Sequence, residues 1–263
     1  MARKQAQTVV VPQRHGSMES ADPVSSVPGL GRWLVFRYEP TSLFSLKISR
    51  ATSSVGRTLL IPTPYAAKMA FVDAAFRVGW QGDIAALVAA LALVDLRIGA
   101  PEKAVVTHTI VKIRQEPKDR KSGPSYIPAV AYREFVHLRG PLCWAFDLAT
   151  APAWLADALI EIAPGINYIG KRGSFIQFVG HGRHAELGPC FTQPFDAGEL
   201  KPASGMHIAV LDDFGPDANF EALNSFSAVP IRRGRHRVFR ETLVPLGLVN
   251  VGPGFSEYSR EPD

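Results

Sequence analysis

Cysteine is scarce in this chain: Cys143 and Cys190 are the only two among 263 residues, and they form no C-x-x-C pair. Two thiols without histidines at suitable spacing do not make a zinc site. Cys143 lies in an apolar, strand-like run and reads as a buried free thiol, which fits a reducing compartment. Long apolar runs are missing as well. The longest, Ile84 to Val94, falls far short of the ~20 residues that span a bilayer. The N-terminal VVVP is too brief for a signal-peptide core, so the expected location is the cytoplasm, without membrane contact. Neither G-x-S-x-G nor H-E-x-x-H occurs, which removes the hydrolase elbow and the zinc-protease helix. No internal repeat is visible.

What is present describes a folded, basic protein. A hydrophobic fraction of 46% against 20% charged residues is enough for a real core. The net charge of +5 and pI near 9.3 tilt the chain towards polyanionic partners.

Residues 1–30 are polar and rich in Ser, Pro and Gly, the composition of a solvated arm. The core begins at Trp33, where WLVFRYE alternates with Trp33, Val35 and Arg37 on one side and Leu34, Phe36 and Tyr38 on the other. An irregular basic segment follows, Thr41 to Leu60, with Lys47, Arg50 and Arg57; connections of that length are commonly functional or disordered. Thr63 as cap and Pro64 at the first helical position then open a helix that ends near Gly79. Its apolar stripe is Tyr65, Met69, Val72 and Phe76, with Lys68 beside it, one turn from the positive helix end. Asp83 caps a second, alanine-rich helix through Val94, apolar nearly all round and therefore expected to be buried.

From Lys103 the period becomes two: Val105, Thr107, Thr109, Val111 and Ile113 share one face, and Val106, His108, Ile110, Lys112 and Arg114 the other. A polar tip with Lys118, Arg120 and Lys121 leads back into AYREFVHL and LCWAFDL, predicting a hairpin that projects at about residues 112–130. Arg139-Gly140-Pro141 reads as a bulge or bend rather than a strand end. A helix from about Pro152 to Ala163 carries Leu155, Leu159 and Ile162 on one face. The order β, α, β, β, α, β predicts an α+β, ferredoxin-like (RRM-like) fold, an antiparallel sheet with helices on one face. The expected organisation is an arm over 1–30, this domain over 31–182, and a β-rich region over 183–263.

The most distinctive stretch is GINYIGKRGSFIQFVG, Gly165 to Gly180. Gly165 to Lys171 fits G-x-x-x-x-G-K, but Arg172 stands where a P-loop needs Ser or Thr. A P-loop also joins a strand to a helix, and here the order is reversed. Two short apolar runs hinged at Gly170 and Gly173 would instead hold Lys171 and Arg172 as a seat for phosphate; a plain structural turn is the alternative. His181-Gly182-Arg183-His184 puts two imidazoles on an expected loop with no acidic or thiol neighbour, so no metal is expected. Asp212-Asp213-Phe214-Gly215 resembles a kinase magnesium loop but lacks its companion motifs.

Further on, MHIAVL (Met206 to Leu211) reads as a strand and Asn219 to Leu223 as one helical turn. Two more strands are expected to flank a bend with Arg232, Arg233, Arg235, Arg237 and Arg240 around His236, a cluster with no acid within it. Metal-free RNA cleavage would require His108, His137, Tyr168 and Lys171 to converge. Base stacking has candidates in Trp33, Phe36, Tyr65, Tyr132 and Tyr168.

Taken together, IPTPYAAKMAFVDAAF, AYREFVHLRGPLCWAFDL and NYIGKRGSFIQ, in that order, resemble the Cas-five branch of the RAMP superfamily of CRISPR proteins. The resemblance covers Trp33 to Gly180, and more weakly the chain through Val251. It implies a ferredoxin-like domain with a hairpin "thumb" and a variable C-terminal part. It also implies a non-catalytic place at the foot of a class 1 (Cascade-like) surveillance complex, gripping the 5′ handle of the CRISPR RNA. The implied partners are that RNA, the backbone (Cas-seven-type) subunit, the large subunit and, through the complex, target DNA; no cofactor is implied. By position, Lys171 and Arg172 would contact phosphate, Tyr65 and Lys68 would face the handle, and Lys112 to Lys121 would lie on the thumb. The N-terminal arm and the Arg232–Arg240 cluster have no counterpart in the family pattern. Two other readings stay open. GLVNVGPGF, with Gly247, Gly252 and Gly254, resembles the glycine-rich loop of the repeat-cleaving Cas-six relatives and would suit a metal-independent endoribonuclease. A ferredoxin-like scaffold for proteins is the other.

Overall fold

The computed structural model describes residues 31–48, 55–117, 125–195 and 205–260. In chain order the elements are β1 (Trp33–Pro40), β2 (Val55–Gly56), α1 (Pro64–Arg77), α2 (Ile84–Leu93), β3 (Leu96–Gly99), β4 (Lys103–Gln115), β5 (Ile127–Arg139), β6 (Leu142–Asp147), α3 (Leu155–Ile162), β7 (Ile176–His184), β8 (Gln193–Pro194), β9 (His207–Phe214), α4 (Phe220–Leu223), β10 (Arg237–Val244), β11 (Gly247–Gly252) and β12 (Phe255–Ser259).

The fold is α+β. One antiparallel sheet runs β3-β6-β1-β7, the strand order of a ferredoxin-like fold with α1, α2 and α3 in its crossovers. Alternation along β1 sends Leu34, Phe36 and Tyr38 into the helices, where Phe36, Phe71 and Phe146 pack ring on ring at 5.2–5.9 Å. The opposite face carries a smaller cluster of Trp33, Val35 and Ala145 under Leu187 and Phe191. A second sheet runs β8-β10-β9, and a third runs β11-β12-β4-β5-β2.

Several expectations are corrected here. The second ferredoxin strand is β3, four residues long and too short to register as a period. The long hairpin β4–β5 belongs to the third sheet instead, paired from Lys103↔Arg139 to Gln115↔Ile127. The Arg139-Gly140-Pro141 interruption is therefore a true strand end, a corner at which the chain leaves one sheet for another, with Gly140 at φ +89°. His181 to His184 lie on β7, paired with β1, rather than on a loop. The arginine-rich bend precedes β10, whose partner β9 comes earlier in the chain. Helix α2 is buried on one face only, leaving Ala85, Ala89 and Leu93 exposed.

Helix α1 starts where its cap dictates, with Thr63 Oγ1 accepting from Ala66 N at 3.1 Å and Pro64 in the first turn. Its face towards the sheet is Ala67, Phe71 and Ala74: the alanines let the helix approach closely, and the Phe71 ring fills the space between Phe36 and Phe146. The stripe of Tyr65, Met69, Val72 and Phe76 turns instead towards the C-terminal region: Tyr65 meets Phe214 at 5.4 Å and Phe76 meets Phe220 at 5.9 Å.

Between these stripes the Lys68 ammonium is fully enclosed, 2.8 Å from Asp213 Oδ1 and donating to the Val94 carbonyl at 2.9 Å. Burial pushes the pKa of Lys68 down and that of Asp213 up, and each partner's charge opposes the other's shift. Asp213→Ala, which strands a buried ammonium, is expected to cost about 3–5 kcal/mol of unfolding free energy, whereas Lys68→Met with Asp213→Leu should be about as stable as the wild type. Urea unfolding of both variants checks this.

Candidate nucleic-acid interface

Gly170 to Gly173 form a fixed turn. Tyr168 bridges Phe175, Ile169 N donates to Ser174 O at 3.1 Å, and Ser174 N donates to Lys171 O at 3.1 Å. Gly170 and Gly173 sit at φ +65° and +100°, a region open to glycine and costly for other residues. Ser42 clamps the turn from outside: its Oγ donates to Gly173 O at 2.8 Å and accepts from Phe175 N at 2.7 Å. Lys171 and Arg172 are exposed at the apex.

Leu46 lies against Gly170, which places the turn beside a short two-ply ribbon. In that ribbon Leu59 N donates to Leu46 O at 2.7 Å, Ile48 N donates to Arg57 O at 3.2 Å, and Lys47 bridges Thr58. Lys47 and Arg57 are exposed. Thr58 N donates to Glu134 Oε2 at 2.9 Å, tying the ribbon to β5.

From there the hairpin leads outward. On one face His108, Ile110, Lys112 and Arg114 lie opposite Glu134, Tyr132, Val130 and Pro128. Ala104 and Val106 at its base are buried, but Ile110 and Val130 are about 70% exposed. His108 Nδ1 contacts Tyr132 Oη, the rings meeting edge to face.

The cations divide into paired and unpaired ones, and among the described residues the unpaired include Arg37, Arg133, Arg139, Arg183, Arg232, Arg233 and Arg240 as well as those of the turn, ribbon and hairpin. Arg32, Lys68, Arg77, Arg97, Lys103, Arg235 and Arg237 are paired with carboxylates. Among the described residues, no carboxylate lies within ion-pair distance of Lys47, Arg57, Lys112, Arg114, Lys171 or Arg172. The turn, the ribbon and the hairpin thus present uncompensated positive charge along connected elements.

Other expected contacts are not on this surface. Lys68 is corrected from an RNA contact to a buried structural cation, its ammonium bonded to Asp213 and the Val94 carbonyl inside the protein. Tyr65 is half-buried with the Arg237 guanidinium 4.4 Å from its ring centroid and Phe214 at its edge, so its stacking place is taken. Trp33 and Phe36 are core residues. Arg232, Arg233 and Arg235 lie on the separate bend before β10. Space supplies the acids that sequence proximity did not: Arg235 Nε donates to Asp217 at 2.7 Å and Arg237 Nε to Asp212 at 2.6 Å. Arg233 lies over the Phe239 ring at 5.2 Å. Arg50, Lys118, Arg120 and Lys121 fall outside the described residues.

The proposed cleavage group does not converge. His137 pairs with Val105 on the face opposite to His108, and Tyr168 lies under the Arg77 guanidinium of α1 at 5.5 Å. Glu134 was missed as a site residue; a carboxylate at a core-facing position of AYREFVHL was the signal. Among the described residues no group of three His, Cys, Asp or Glu could hold a metal ion, and no helix is long and apolar enough to cross a membrane.

Fold and site together define a ferredoxin-like α+β protein with a cationic turn, ribbon and hairpin. No family model and no curated protein matches the chain. Among solved structures it is similar to a CRISPR protein from Archaeoglobus fulgidus, at 12% identity and a TM-score of 0.39, over 88% of this chain and 92% of that one. A likeness that loose does not carry a family across.

Because Gly173 has open space around it, Gly173→Val should cost about 1–2 kcal/mol through backbone strain alone. Lys171→Ala with Arg172→Ala, both exposed, should stay within about 0.5 kcal/mol of the wild type. Chemical denaturation separates the two effects.

Proposed function

We propose that this protein is a non-catalytic RNA-binding subunit of a class 1 CRISPR surveillance complex, seating the 5′ handle of the CRISPR RNA on the turn, ribbon and hairpin. The observation that carries the reading is the run of carboxylate-free cations, Lys171 and Arg172, Lys47 and Arg57, Lys112 and Arg114, over elements tied to one another by hydrogen bonds. A single-stranded RNA needs cations that track its backbone and faces on which splayed bases rest; Tyr132, on the cationic face of the hairpin, offers such a face. The sequence resemblance of Trp33 to Gly180 supplies the CRISPR context, with the backbone and large subunits as neighbours. The scatter of His108, His137, Tyr168 and Lys171 favours binding over cleavage.

The test is fluorescence anisotropy with repeat-derived handle RNA across a salt series. Each lost phosphate contact lowers the log–log slope by about 0.7, so Lys171→Ala with Arg172→Ala should lower it by about 1.4. An unchanged slope overturns the site. RNA incubated with the protein in EDTA should stay intact; site-specific cuts would shift the reading to a metal-independent endoribonuclease.

A further inference from the structure

Beneath the hairpin, at the inner end of the cationic ribbon, lies a partly open cavity of about 270 Å³. It is enclosed by the ribbon, the bases of β4 and β5, and strands β9, β10 and β12. Leu60, Ile61, Val106, Leu211 and Val244 give it apolar walls, and all five are buried. About half of the lining is polar: Thr58, Glu134, His108, His207, Ser256 and Tyr258, with Arg57 beside them.

Glu134 is the informative member. It is only 9% exposed, and its Oε2 is fixed by Thr58 N at 2.9 Å. A carboxylate has about four lone-pair sites and no donor; among the described residues Thr58 N is the one donor bonded to Glu134, which leaves acceptor capacity for a ligand in the cavity it lines. Buried carboxylates are costly unless donors reach them. His207 and Tyr258 meet edge to face at 6.2 Å on the far wall, and burial holds the His207 imidazole below its ordinary pKa, hence neutral at neutral pH.

The cavity suits neither phosphate nor a second protein chain. A fixed, enclosed carboxylate repels an anion, and the space has room for one planar group rather than a side of a domain. Apolar walls, a single carboxylate and a few neutral polar groups match the requirements of a nucleobase taken out of its stack, bound by its faces and read along its hydrogen-bonding edge. Arg57, exposed at the ribbon, is placed to take the attached phosphate.

We infer that this cavity is a pocket for a single unstacked RNA base, and that Glu134 selects one that presents N–H donors side by side, guanine through N1–H and N2–H. The inference rests on the RNA-binding reading and adds to it a base-specific subsite within an otherwise backbone-directed surface.

The test uses the full chain and three uridine oligomers that differ at one central position: guanosine, uridine, or an abasic ribose. The wild type should bind the guanosine oligomer roughly tenfold more tightly than the abasic one. Ser256→Phe, which fills the cavity from β12, should abolish that difference while leaving the salt slope intact. Glu134→Gln, nearly isosteric, should reduce the preference for guanosine over uridine and provides the answer if the phenylalanine variant does not fold. Equal wild-type affinities for all three oligomers with a normal salt slope would overturn the pocket alone. So would discrimination that survives both substitutions. Failure to bind any of the oligomers would remove the RNA reading, and the pocket with it.

Discussion

A buried ammonium and a buried carboxylate fix how the later strands sit against the ferredoxin-like core. Lys68 and Asp213 meet between α1 and β9, both of them buried. Such a pair contributes little net stability, because desolvation offsets the attraction, yet it penalises every arrangement that separates the partners. Its neighbour sharpens the point. Asp212 and Asp213 point to opposite faces of β9, and they are matched separately: Asp213 by Lys68, Asp212 by Arg237. A slip of one residue along β9 would exchange the two faces and leave both carboxylates without their cations. Arg237 then lies over Tyr65, so the same contact that sets the register also withdraws Tyr65 from the surface.

With α1 committed to that internal interface, the exposed positive charge is left to the segments around it. The Gly170–Gly173 turn, the Lys47–Arg57 ribbon and the hairpin are linked by specific bonds rather than by proximity alone: Ser42 to the turn, Leu46 to Leu59 across the ribbon, Glu134 to Thr58 at the hairpin base. On the proposed RNA-binding reading, a backbone frame fixed in this way would be preorganised for a polyanion, which is where affinity is gained. Glu134 has two consequences at once. It anchors the ribbon and gives the space behind it the one carboxylate of its lining among the described residues.

The parts of this fold that were legible in the sequence are those whose causes are local. Thr63 and Pro64 announce α1, and the alternation of β1 and β4 declares which residues turn inward. What was not legible depends on partners distant in the chain. Four residues of β3 become a ferredoxin strand only because β6 lies beside them. Gly180 and Gly182 dilute the β pattern of β7, so the HGRH segment looks like a loop until β1 supplies the ladder. Lys68, one turn into a helix, looks like a surface cation; only the placement of Asp213 shows that it is internal. The arginine bend looked free of acids because Asp212 and Asp217 arrive from β9 and the loop that follows it.

On the proposed RNA-binding reading, the unpaired cations of the turn, ribbon and hairpin suit a polymer better than a free nucleotide. A mononucleotide needs one compact site: a phosphate cradle with its base pocket a few ångströms away, usually where a strand meets a helix N-terminus. Here the Lys171–Arg172 turn follows a helix and precedes a strand, and four further uncompensated cations, Lys47, Arg57, Lys112 and Arg114, lie on two other elements. Nature's inexpensive way to silence a surface cation is a neighbouring carboxylate, as Arg77 and Arg235 show. Along the turn, ribbon and hairpin that remedy is absent among the described residues, on three elements independently. One phosphate cannot satisfy them all, whereas a phosphate at each step of a single strand can.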